Sequence, residues 1–159
     1  MGNQIIIYRE KLKFNIEESF KHLSRLDTSF NELSKYIDFP INKNAMLKII
    51  NNNQLIAYSD QAIYRFSKLQ DIMGAKLFKS LLLYQGENIN KPFLDILNQL
   101  EKINIINVDN WFEMRDLRNE IAHNYDNNDE ISMNILNSIY KIKLNLSNIL
   151  HAISQLANN

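Results

Sequence analysis

The sequence predicts an all-α protein, an up-down four-helix bundle with an additional short helix. Apolar residues recur at steps of three and four along most of the 159 residues, which is the spacing of one helix face. The chain also has only 3 Gly and 2 Pro, whereas strands need frequent turns. Because short links join the long helices, we expect antiparallel neighbours in a single domain that covers residues 1–159.

The first two predicted helices follow from their apolar faces. The first carries one continuous seam that ends before residues 38–40. The second should run from about Asn44 to Tyr84, before Gly86, and Gly74 could bend it or admit a close partner. The first seam comprises Leu12, Ile16, Ser19, Leu23, Leu26, Phe30, Leu33 and Ile37. The two faces of the second helix comprise Leu55, Tyr58, Ala62, Leu69 and Ile72, and Ile56, Ile63, Phe66, Met73 and Leu77. A helix that is apolar on two faces should lie between neighbouring helices.

Three further helices complete the predicted bundle. A short one should begin near Lys91 and Pro92, because Pro is favoured in a first turn. The next should begin after Asp109, a good N-cap residue, and end near His123. The last should follow residues 128–129, and its seam comprises Ile135, Ile139, Ile142, Leu146, Ile149, Ile153 and Leu156.

Charge and composition restrict the possible functions. The 18 basic and 18 acidic residues give a net charge of zero, which disfavours a broad nucleic-acid clamp. A local basic cleft formed by two protomers remains compatible with this balance. The chain has no Cys, so disulfide and thiolate chemistry are excluded and a cytoplasmic location is expected. No apolar run reaches the roughly 18 residues of a membrane span, so we expect no insertion into a membrane.

Residues 118–125 form the most informative segment. It contains Arg118, Asn119, His123 and Tyr125 at the end of the predicted fourth helix. Arginine presents a planar, permanently charged fork that fits a phosphate, and histidine is the side chain that titrates near neutral pH. Asparagine can orient a base or a phosphate. These side chains suit in-line attack on a phosphodiester, which needs proton transfer and stabilisation of charge on oxygen.

The same spacing also allows structural roles. Arg118 could pair with Glu120 or Asp126, and His123 could stabilise the C-terminus of the helix as a cation. On an ideal helix, Arg118 and His123 point in directions about 140° apart. Either the helix unwinds near His123, or a second protomer completes the site.

Two other arginines are weaker candidates. Arg65 interrupts the apolar seam of the second helix and could form an ion pair with Asp60 or Glu120, or contact a second phosphate. Arg115 lies one turn before Asn119 and either widens the basic site or is solvated.

The remaining candidates are expected to be structural. Neither His22 nor His151 has a second ligand at metal-binding spacing, so both should be structural or exposed. Trp111 and Phe112 should anchor the fourth helix in the core.

The chain resembles a known family at two stretches. Residues 111–125, WFEMRDLRNEIAHNY, resemble the signature of HEPN domains, and the Arg-x4-His-x-Tyr form is that of HepT-type toxins. Residues 60–78, DQAIYRFSKLQDIMGAKLF, are similar to the long helix of this group, and the resemblance covers roughly residues 5–157. It implies an all-helical homodimer whose two motifs face each other, and an endoribonuclease that needs no metal or other cofactor.

The resemblance also implies a role for each motif residue. His123 would be general base or acid while a ribose 2′-hydroxyl attacks its own phosphate, Arg118 would hold that phosphate, and Asn119 would position the substrate or the imidazole. Tyr125 would accept AMP from a cognate minimal nucleotidyltransferase antitoxin, as in a type VII-like toxin–antitoxin pair. The alternatives are a non-catalytic nucleotide-binding or substrate-binding partner of a nucleotidyltransferase, and a helical dimer in which the motif is a polar interface.

Overall fold

A computed structural model describes residues 2–159, and the described chain is helical without a strand. The predicted all-α class is therefore confirmed. The elements are α1 (Gly2–Ser34), α2 (Lys43–Ile50), α3 (Asn53–Ile72), a π-helical turn (Met73–Leu77), α4 (Phe78–Tyr84), α5 (Phe93–Lys102), α6 (Val108–Asn124) and α7 (Asp129–Ala157). None of these helices combines the length and the apolar character that a membrane span requires.

The prediction of the second helix is wrong in one respect, because the helix is interrupted at residues 51–52. Asn51 is the C-cap of α2, and the Asn52 side chain caps α3 by accepting hydrogen bonds from the backbone N–H groups of Gln54 and Leu55, at 2.9 and 3.1 Å. An asparagine side chain competes for backbone donors and so favours a helix start over a helix interior. The bundle consequently has two short helices, α2 and α5, where one was predicted.

Asparagine also caps the starts of three further helices. Asn42, Asn107 and Asn128 each accept a hydrogen bond from a backbone N–H in the first turn of α2, α6 and α7. The α6 start was therefore predicted two residues late, and Asp109 lies in its first turn instead of at the cap. An acidic residue there is still favourable, because it faces the positive end of the helix dipole.

The helix α3 lies at the centre of the bundle and packs against α1, α2, α6 and α7. Both of its predicted apolar faces contribute buried residues, including Leu55 and Leu69 from one and Ile63 and Phe66 from the other. The predicted position between neighbours is therefore confirmed. The first seam is likewise buried from Leu12 onward, although α1 ends at Ser34 and Ile37 is buried in the segment that follows it.

The π-helical turn joins α3 to α4 where Trp111 of α6 approaches most closely. A Cβ atom on Gly74 would lie 3.3 Å from Cζ2 of Trp111, so glycine provides the space that the indole needs. The indole is fully buried and packs edge-on against Phe78, with ring centroids 4.7 Å apart. The prediction that Trp111 anchors the motif helix, α6, in the core is confirmed. This contact fixes the distance between α6 and the helix that carries the π turn.

Candidate functional site

The helix α6 buries only a narrow stripe and leaves most of its surface polar. Its buried residues are Trp111, Met114 and Ile121, spaced three and seven apart, so they lie on one side of the helix. The exposed residues are Asp109, Asn110, Glu113, Arg115, Asp116, Asn119, Glu120, Ala122 and His123. The motif residues are therefore presented by a helix that is anchored in the core at its other face.

Arg118 forms a two-pronged ion pair with Asp71 of α3. Its Nε donates to Oδ1 and its Nη2 donates to Oδ2, both at 3.1 Å. The predicted structural partners, Glu120 and Asp126, are not the ones used. Because Nε and Nη2 lie on one edge of the guanidinium, the edge formed by Nη1 and the second Nη2 proton stays free to donate to another anion. Asp71 thus fixes the orientation of Arg118 without using all of its donors.

Tyr125 makes a second polar connection between the end of α6 and α3. Its hydroxyl donates a hydrogen bond of 2.9 Å to Oδ1 of Asp60, and its ring is half-buried against the core. Burial, and then the hydrogen bond to Asp60, raise the pKa of the Tyr125 hydroxyl. The ring packs inward, and Asp60 accepts the hydrogen bond of the hydroxyl. The phenol therefore stays protonated near neutral pH.

An open cleft of about 390 Å³ connects these two contacts, and we call it the tyrosine cleft. It is lined by Asp60, Ile63, Tyr64, Ser67, Lys68, Asp71, Arg118, Tyr125 and Asp126. Asp126 has a positive φ of 71°, and burial, together with the charge of Asp60, raises the pKa of its carboxyl. Lys68 and Arg118 supply the positive charge of this cleft.

A second cleft, of about 450 Å³, lies on the other side of the Arg118–Asp71 pair, and we call it the arginine cleft. It is lined by Gln70, Asp71, Gly74, Ala75, Lys79, Phe93, Trp111, Arg115, Arg118 and Asn119. Arg118 and Asp71 line both clefts. Three of the predicted site residues, Arg115, Arg118 and Asn119, are therefore brought together here.

His123 lines neither cleft. It is exposed in the last turn of α6, and its ring makes no hydrogen bond to another described residue. The helix does not unwind before it, because α6 continues to Asn124. Within one protomer, Arg118 points toward α3 while His123 points to solvent, as the angle between their positions on an ideal helix requires.

Arg65 forms neither of its predicted ion pairs, with Asp60 or with Glu120. Its Nη1 lies 2.9 Å from Nδ1 of His22 on α1, and its guanidinium carbon lies 5.1 Å from the centre of the Tyr64 ring. Since arginine can only donate, Nδ1 of His22 accepts and the ring proton lies on Nε2. Burial, and then the charge of Arg65, lower the pKa of His22. Arg65 therefore joins α3 to α1 and lines neither cleft.

The α3 residues of the tyrosine cleft were not predicted as site residues, although a signal for them exists. Asp60, Tyr64, the adjacent pair Ser67 and Lys68, and Asp71 recur about every three to four residues, so they form a polar stripe on one side of α3. This stripe faces the motif helix. A search for polar periodicity beside the apolar faces would have selected these residues.

The chain was compared with known protein families, with curated protein sequences and with solved structures. None of the three comparisons finds a match.

Proposed function

We propose that this chain is a HEPN endoribonuclease of the HepT type, a cytoplasmic toxin that cleaves RNA without a metal ion. One observation carries the proposal. The Arg-x4-His-x-Tyr segment ends α6, where Arg118 and Tyr125 line one cleft with Lys68 while His123 is exposed at the helix end. The cations supply phosphate recognition, and the imidazole supplies a proton acceptor near neutral pH.

The proposed reaction is an intramolecular transesterification. The imidazole of His123 takes the proton of a ribose 2′-hydroxyl, whose oxygen forms a bond to the adjacent phosphorus while the bond from phosphorus to the 5′-oxygen breaks. A proton returns to that leaving oxygen. Arg118 donates to the phosphate oxygens, on which negative charge accumulates in the transition state. Asn119, exposed one turn before His123, positions the substrate or the imidazole.

The ion pair with Asp71 supports this role for Arg118. A guanidinium that is already oriented loses less conformational freedom when it binds a phosphate. The pair uses Nε and one proton of Nη2, so the edge formed by Nη1 and the second Nη2 proton can still donate hydrogen bonds to an anion.

Cleavage in the presence of a chelator is the direct test. Purified protein incubated with single-stranded RNA and EDTA should produce fragments ending in a 2′,3′-cyclic phosphate, because the 2′-oxygen is the nucleophile. Fragments ending in a 3′-hydroxyl, or cleavage that stops when EDTA is added, would contradict the mechanism.

The protein is expected to be a two-fold dimer. Arg118 and His123 do not converge within one protomer, so a second motif is needed to bring an imidazole to the phosphate that Arg118 holds. Sedimentation at micromolar concentration should give about twice the protomer mass of 18.8 kDa. A strictly monomeric protein that cleaves RNA would contradict a site shared by two protomers.

Tyr125 is proposed to be the site at which a cognate nucleotidyltransferase adds AMP. Its oxygen would attack the α-phosphorus of ATP, pyrophosphate would leave, and Asp60, which already accepts the phenolic hydrogen bond, would take the proton. The added phosphate would lie beside Lys68 and Arg118, which line the same cleft. Modification would thus occupy the cations that RNA needs.

Substitution of Tyr125 tests this step. If a cognate nucleotidyltransferase exists, the wild-type chain coexpressed with it should gain mass in units of AMP, and Tyr125→Phe should not, because the acceptor oxygen is lost. Asp60→Asn keeps an oxygen acceptor but weakens the base, so AMP addition should slow. Intact-protein mass spectrometry measures all three. AMP that still arrives on Tyr125→Phe would place the acceptor elsewhere.

A binding subunit of a nucleotidyltransferase is the second candidate. It is favoured by the position of His123 outside both clefts, whereas the tyrosine cleft holds two cations beside the exposed ring of Tyr64. Such a protein would bind a nucleotide without cleaving RNA. Nucleotide affinity in calorimetry, with no cleavage product under any condition, would favour this candidate.

A further inference from the structure

The arginine cleft has an excess of positive charge in a chain whose net charge is zero. Lys79 is half-buried near the start of α4, and Arg115 is exposed on α6. Neither forms an ion pair or a side-chain hydrogen bond with another described residue. The one carboxylate among the described lining residues is Asp71, which Arg118 already binds. Lys79 and Arg115 are therefore available to bind anions from solution.

The wall of the arginine cleft also contains an aromatic ring. Phe93, the first residue of α5, is half-buried in this wall. Gly74 and Ala75 of the π-helical turn line the cleft beside it, and Cζ of Phe93 lies 3.8 Å from the position that a Cβ atom on Gly74 would take. Cations that follow a phosphate backbone and an aromatic ring on which a base can stack are the two features that single-strand binding sites share.

The cleft is continuous with the exposed histidine. Arg115, Asn119 and His123 are exposed at steps of four residues, so they lie along one side of α6 about 6 Å apart. Arg115 and Asn119 line the arginine cleft. A nucleic-acid strand that passes over His123 can therefore continue across Asn119 and Arg115 to Lys79.

The geometry points to a single-stranded RNA subsite in the arginine cleft, beside the point of cleavage. Lys79 and Arg115 bind phosphates of the flanking nucleotides, and Phe93 stacks on a base. This inference rests on the proposed ribonuclease function, because it takes the substrate to be RNA that extends past His123. It assigns part of the substrate affinity to residues outside the Arg-x4-His-x-Tyr segment.

The salt dependence of binding tests the subsite. The probe is a 2′-O-methyl oligouridine of about twelve nucleotides, which cannot be cleaved because its 2′-oxygen is blocked. Each cation that contacts a phosphate adds about 0.7 to the slope of log affinity against log salt for a single strand. Lys79→Gln and Arg115→Gln should each weaken binding several-fold at low salt and lower the slope by about that amount.

The matched control is Lys141→Gln, which removes the same charge from an exposed position on α7 in a different depression, beside Pro40. Its affinity and slope should equal those of the wild type. If Lys79→Gln, folded by circular dichroism, also equals the wild type, or if the wild type does not bind the probe, the subsite is disproved. RNA binding that depends on Lys79, without any cleavage of unmodified RNA, would leave the subsite standing and disprove the ribonuclease function instead.

Discussion

His123→Ala should abolish RNA cleavage and any growth inhibition that the chain causes, while the fold stays helical. His123 is exposed and makes no side-chain hydrogen bond to another described residue, so its removal costs little stability. General acid–base catalysis contributes roughly 10²- to 10⁴-fold to such reactions. We therefore expect the cleavage rate to fall by at least about a hundred-fold, measured on labelled RNA with purified protein and circular dichroism as the check on folding.

His151→Ala is the matched control for this prediction. His151 is also an exposed histidine on a long helix, and its ring packs against Phe20 with centroids 5.2 Å apart. It is far from the motif in sequence and lines neither cleft. This variant should cleave RNA at the wild-type rate. A folded His123→Ala protein that cleaves as fast as His151→Ala would disprove the proton-transfer mechanism.

Arg118→Lys should impair cleavage severely although it conserves the charge, and Arg118→Ala should be worse. A lysine ammonium cannot contact Asp71 and a phosphate through two parallel edges, as the guanidinium can. Loss of one preorganised donor to a developing negative charge typically lowers kcat by about 10²- to 10³-fold. The kinetic constants kcat and KM on RNA should be measured separately, since a positioning defect lowers kcat more than it raises KM.

Stability measurements distinguish this role from a purely structural one. The side chains of Arg118 and Asp71 are 29% and 44% exposed, and an exposed pair of this kind contributes only about 0–1 kcal/mol to folding. Both Arg118 variants should therefore unfold within about 1 kcal/mol of the wild type. Arg25→Lys, an exposed substitution on α1, is the control for replacing arginine itself. If the Arg118 variants cleave RNA normally, Arg118 serves only to join α6 to α3.

The long helices could be predicted because the apolar residues that they bury recur every three or four positions, and this spacing is visible in the sequence. Most residues of the α1 and α7 seams and of the two α3 faces are buried at the expected steps, and the remainder, such as Ile142 and Leu156, are partly buried. The break at residues 51–52 could not be predicted in this way, since the apolar period continues across it. It depends on one hydrogen-bonding side chain, that of Asn52, which outweighs the continuity of the pattern.

Only the part of the candidate site that lies on α6 was predicted from the sequence. The motif residues of α6 are neighbours in sequence, so their spacing and chemistry could be recognised together. Asp71 reaches both clefts, and Lys79 the arginine cleft, from a segment about forty residues earlier. Only the packing of α3 against α6, with the contact of Phe78 on Trp111, brings them there. The ion-pair partners predicted for Arg65, Asp60 and Glu120, were wrong for the same reason, because the neighbour on its side of α3 is α1.

The π-helical turn determines where one residue can be deleted from the central helix. Its backbone pairs the N–H of Phe78 with the carbonyl of Met73, five residues earlier, so the turn holds one residue more than a regular helical turn. Deletion of the exposed Ala75 would restore ordinary pairing while α3 and α4 keep their facing directions. A deletion elsewhere in a regular helix would rotate everything after it by about 100°. This turn is therefore the place where the central helix can lose a residue and keep its packing.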